Sequence, residues 1–156
     1  MPAVLAGLVI LHFTVRPWLG DPRPAPDLLL LALLVYAIGA RPGAAAVAGF
    51  IVGLLSDALT PVAFGAGALA HTVVGYLAAW GKAVFFAENA VVSGGVFLAG
   101  SWLRDLLVLV GAGPVGGSEM AWQLLFWSPL KAASTALSGV AVLWICRRWL
   151  SIRIAG

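Results

Sequence analysis

The sequence predicts an all-α, polytopic membrane protein, a bundle of six transmembrane helices. Three observations lead there. Of 156 residues, 62% are hydrophobic and only 10% charged, against roughly 45–50% and about 25% in a soluble domain. The apolar residues form continuous runs, such as LLLLALLVYAI from Leu28. A transmembrane barrel would alternate over strands of about ten residues instead. Finally, Pro and Gly clusters punctuate the runs at helical lengths, and a mean hydropathy of +1.05 fits lipid as the solvent. The 19 glycines and 7 tryptophans suit close helix packing and interfacial anchoring. No soluble domain, repeat or low-complexity tail is visible, so residues 1–156 read as one integral membrane domain.

The first helix is expected from Pro2 to Val15, or on to Leu19. No basic residue precedes its apolar run, unlike a secretory signal, so it reads as an uncleaved span. Pro17, Pro22, Pro24 and Pro26 make the following stretch a stiff surface loop. Asp27 is placed to cap a second helix of 14 residues to Ala40, short of the ~20 that a full span needs. Arg41-Pro42-Gly43 turns the chain into a third helix ending near Leu59. The fourth is expected over roughly 64–80, with a loop over 81–89 that contains Lys82 and Glu88, and the fifth from Ala90 to Val110. After the glycine-rich 111–118, Ala121 to Trp127 reads as a short interfacial segment, and Pro129 as N1 of a sixth helix reaching Trp149.

The chain is organised around 43–65. Gly49, Gly53 and Asp57 are spaced four residues apart and share one helix face. Small residues at that spacing let a second helix approach closely in lipid, and they carry the carboxylate of Asp57 into protein. Arg104, Asp105 and Lys131 are the other charges inside spans, all expected toward the outer ends of helices 3, 5 and 6. Opposite signs at similar depth predict pairing, Asp57 with Arg104 first and Asp105 with Lys131 second. His71, flanked by Gly67 and Gly75, reads as a neutral side chain bonded across a close helix contact.

Basic residues set the orientation. Arg41, Lys82, Arg147, Arg148 and Arg153 lie on the side of the N-terminus, and Arg16 and Arg23 opposite. The positive-inside rule then puts both termini in the cytoplasm. Counting Arg104 and Lys131 as outer residues narrows the asymmetry to five against four. In such a chain a net charge of +3 speaks of topology and not of nucleic acid. The single cysteine, Cys146, has no partner within the chain for a disulfide. No HExxH, Gly-x-Ser-x-Gly or phosphate-cradling loop occurs, and two histidines and one cysteine on separate segments make no metal site. An enzyme, a metal and a cofactor are not expected.

Pro26-Asp27-Leu28 opening an early helix, Gly49-Phe50, Gly53-Leu54 and Asp57, then Phe64-Gly65, resemble the rod shape-determining protein MreD family. The motifs span about a quarter of the chain, and the rest is similar in hydropathy, helix number and basic C-terminal tail. The resemblance implies a non-enzymatic scaffold subunit of the bacterial elongation machinery for cell shape and peptidoglycan synthesis, in the cytoplasmic membrane. It implies MreC as partner, with RodA, a penicillin-binding transpeptidase and MreB in the wider complex. It also implies the fold of the substrate-binding subunits of energy-coupling-factor transporters, and with it a rival function, binding of a vitamin-type small molecule. A binder needs an enclosed polar cavity near the outer face. A scaffold has its charges neutralised by one another or met by a partner chain.

Overall fold

A computed structural model describes residues 2–15, 25–59, 65–85, 90–111 and 122–151. Phe64, the prolines and arginines of 16–24, Glu88, most of the glycine-rich break and the tail after 151 lie outside the described residues, as do the side chains of Lys82, Cys146, Arg147 and Arg148.

The described residues form six α-helices and no strand. They are α1 (Pro2–Val15), α2 (Leu28–Gly39), α3 (Pro42–Leu59), α4 (Ala66–Phe85), α5 (Ala90–Gly111) and α6 (Ser128–Ser151). α2 is the centre, and it packs against each of the other five. Every residue from Leu28 to Val35 is buried. A helix that is apolar all round buries all its faces, which also accounts for its 12 residues: its neighbours shield it, so it need not match the hydrocarbon thickness. The sequence reading put the organising element at 43–65; the packing gives that place to α2, while α3 pairs with α4 in the most extensive interface of the bundle.

Two boundaries differ from expectation. α4 continues five residues past Trp80, into the expected loop, because Gly81 to Phe85 contain no proline and remain largely apolar. The segment before Pro129 is not a separate interfacial piece. Gln123–Trp127 is a π-helical turn that runs directly into α6, and the N–H of Ser128 donates to the carbonyl of Gln123. Proline lacks an N–H, and inside a helix its ring meets the carbonyl four residues back. A wider turn just before Pro129 absorbs that misfit.

The described surface is largely apolar, and apart from Arg41 the described charged side chains are buried or half-buried. Ile10, Leu69, Trp80, Leu125 and Leu137 are among the exposed large side chains, while Asp27, Asp57 and His71 are buried. This inversion suits a lipid solvent. By length and apolarity one window among the described residues qualifies as a span, Gly94–Gly111 in α5; Leu5–Thr14, Leu28–Gly39 and Pro42–Ala58 are shorter apolar helices.

Candidate functional site: a glycine seam and a ring of four charges

α3 and α4 run antiparallel with glycine at successive contacts. A Cβ on Gly49 would overlap the backbone carbonyl of His71, and one on Gly53 would overlap the backbone of Gly67 and Ala68. One turn earlier the roles reverse, and a Cβ on Gly75 of α4 would sit 2.6 Å from the carbonyl oxygen of Ala45. The stripe read from the sequence is therefore a backbone-to-backbone contact, of the kind small residues permit. Leu54 is half-buried and Phe50 is exposed, so Phe50 belongs to the outer surface of this pair.

Asp57 completes the seam. Its Oδ2 accepts from the N–H of Gly65 at 2.8 Å and of Ala68 at 3.0 Å. The first N–H groups of a helix have no partner within it, and the N-terminus favours an anion. Gly65, which precedes α4 with φ +99°, has no side chain to serve as a cap. Asp57 supplies the acceptor from the neighbouring helix. Gly67 leaves the room, since a Cβ there would collide with the Asp57 carboxylate. The expected pairing of Asp57 with Arg104 is thus not what forms. The capping bonds occupy Asp57, and Arg104 turns to two other carboxylates.

Those carboxylates belong to Asp27 and Asp105. Arg104 donates through Nη2 to Asp27 Oδ2 and through Nη1 to Asp105 Oδ1 at 2.5 Å. Lys131 Nζ lies 3.3 Å from Asp105 Oδ1 and 3.8 Å from Asp27 Oδ2. Two anions and two cations close a ring of zero net charge. Their side chains are 5%, 13%, 14% and 21% exposed for Asp27, Arg104, Asp105 and Lys131, so the charges compensate one another with little help from solvent.

Asp27 serves twice, for it also caps α2. Its Oδ1 accepts from the N–H of Leu30 at 3.1 Å, and its own N–H donates to Thr135 Oγ1 on α6 at 3.1 Å. Thr135 in turn donates to the Lys131 carbonyl at 2.8 Å. The start of the central helix is thereby held to α5 and α6. The sequence reading singled out Asp27 as a cap but not as the anion for Arg104; its sign, opposite to that of Arg104 at the same end of the bundle, was the available signal. Pro26 precedes it, half-buried. Among the described residues no group of three or more His, Cys, Asp or Glu is gathered for a metal.

The family model for the rod shape-determining protein MreD matches residues 1–147. The chain belongs to the MreD family. No curated protein and no solved structure matches it. MreD proteins are shape-determining membrane proteins, and the described Asp27, Gly49, Gly53, Asp57 and Gly65 of the MreD-like motifs fall on the two features above. Asp27 anchors the charge ring, and Gly49, Gly53, Asp57 and Gly65 build the seam.

Proposed function

We propose that this MreD chain is a non-enzymatic scaffold subunit of the elongation machinery. It acts as one membrane domain that binds MreC, and regulates cell shape and peptidoglycan synthesis through that contact. The observation that carries the reading is the closed ring of Asp27, Arg104, Asp105 and Lys131. A site built to hold a charged small molecule keeps a charge in reserve for it. Here each cation lies against both carboxylates, which favours a structural role for the ring over vitamin-type binding. The glycine seam is taken up within the chain by the α3–α4 contact, so a partner helix would meet the apolar outer surface of the bundle.

The same proposal includes the finer points the family implies: a multi-pass protein of the bacterial cytoplasmic membrane with both termini cytoplasmic, a fold shared with energy-coupling-factor substrate-binding subunits, and a wider complex with RodA, a penicillin-binding transpeptidase and MreB. Co-expression with MreC and purification in mild detergent tests it. Co-elution in a fixed ratio is expected. A stable protein that never co-elutes with MreC, or one that carries a stoichiometric small molecule, would replace the scaffold by the binder. A reporter active only in the periplasm, fused after Gly156, should stay silent.

A further inference from the structure

Among the described residues three buried polar side-chain atoms have no hydrogen-bond partner: His71 Nε2, Ser101 Oγ and Arg104 Nε. His71 and Ser101 are fully buried. The helix register brings the three to one level of the α4–α5 pair. α4 and α5 are antiparallel, with Gly111 facing Ala66 and Gly100 facing Val74. His71, nearly one turn from Val74 toward Ala66, is therefore level with Arg104, one turn beyond Gly100. Ser101 precedes Arg104 by three residues and shares its face. His71 is also within electrostatic range of Arg104, Asp27 and Lys131.

Their hydrogen-bonding capacities are complementary to one molecule. The Gly67 carbonyl can only accept, and it lies 2.7 Å from His71 Nδ1, so Nδ1 carries the hydrogen. In a neutral ring Nε2 is then a bare acceptor. Arg104 Nε–H is a donor, and the Ser101 hydroxyl is both. Leaving all three unmet in an apolar interior is unfavourable, since each buried polar group forfeits its hydration. A water molecule offers two donors and two acceptors, and buried waters typically make about three bonds to such groups.

We infer that a structural water is bound between α4 and α5, donating to His71 Nε2 and Ser101 Oγ and accepting from Arg104 Nε–H. This water joins the seam to the charge ring. The inference concerns the interior of the bundle and stands whether or not MreC is the partner.

An experimental structure of the full chain in lipid nanodiscs, at a resolution that shows ordered solvent, tests it. A single peak at hydrogen-bond distance, roughly 2.7–3.2 Å, from all three atoms is expected. Direct bonding of Arg104 Nε to His71 or Ser101, no peak, or density larger than a water would overturn it. Solid-state NMR of the ¹⁵N-histidine protein gives a second readout, with His71 assigned through His12→Asn. The Nδ1-protonated tautomer is expected, with polarisation transfer from water to His71. The Nε2-protonated tautomer, or no transfer from water, would contradict the site.

Discussion

Asp27 and Asp57 invite comparison. Both are buried carboxylates at the same end of the bundle, both accept from the N–H groups of a helix start, and both lie in the motifs that resemble the family. Asp57 does so across helices, from the end of α3 to the start of α4, with no cation beside it in the described structure. Asp27 caps its own helix and at the same time answers Arg104 and Lys131. For Asp57 the macrodipole and two N–H groups are the environment, so an oxygen acceptor is the main requirement. For Asp27 the negative charge itself is required, because Arg104 is buried against it. One residue type thus meets two physical demands, and substitutions separate them.

The largest effect is expected from Arg104→Leu. It leaves Asp27 and Asp105 close together with Lys131 as their only counter-ion in the ring. Breaking a buried pair by removing one partner costs roughly 3–5 kcal/mol, measured as the loss in unfolding free energy in detergent. A loss below about 1 kcal/mol would mean that the ring is hydrated and weak, and would erase the contrast between the two aspartates.

Next in size are substitutions in the seam. Gly53→Ala places a methyl against the backbone of Gly67 and Ala68, which cannot move aside as a flexible side chain can. Overpacking of this kind costs about 1–3 kcal/mol, and Gly49→Ala should behave alike. Gly7→Ala serves as the control, since nothing lies within 4 Å of a Cβ there; its thermal midpoint should not fall. Equal losses at all three positions would deny the seam its backbone contact.

A smaller effect is expected for Asp57→Ala, which removes the cap of α4. Losing an N-cap side chain costs about 0.5–2 kcal/mol. The change should add to that of Arg104→Leu within about 0.5 kcal/mol, because the two residues share no bond. A larger coupling in the double-mutant cycle would restore the Asp57–Arg104 pair that the sequence suggested.

That pair shows where sequence reading ends. The helices were legible because apolar runs and Pro-Gly punctuation are local signals. The seam was legible because spacing on one helix fixes a face: Gly49, Gly53 and Asp57 do point the same way. Which helix that face meets is a long-range fact, and no spacing within 43–65 names α4. Charge sign and approximate depth point to Asp57 as the partner of Arg104, and leave Asp27 with a helix cap alone. The different pairing follows from Gly65, whose missing side chain leaves α4 uncapped and so claims Asp57. The central place of α2 had a signal that was read only as shortness. Leu28 to Val35 is apolar without interruption, and a short helix of 12 residues with no charged side chain on any face is better suited to the middle of a bundle than to its rim. The π turn before Pro129 was hidden because proline is equally at home at a helix start.

The most direct test of the account is a matched pair of isosteric substitutions, Asp27→Asn and Asp57→Asn, compared by unfolding in detergent. Asparagine keeps an acceptor oxygen and serves about as well as aspartate at a helix cap, but it carries no charge. Asp57→Asn should therefore stay within about 0.5 kcal/mol of the parent, while Asp27→Asn, which strips Arg104 of one of its two anions, should lose roughly 3 kcal/mol. Equal losses at the two positions, or a greater loss at Asp57, would contradict the assignment of a cap to one aspartate and a charge ring to the other.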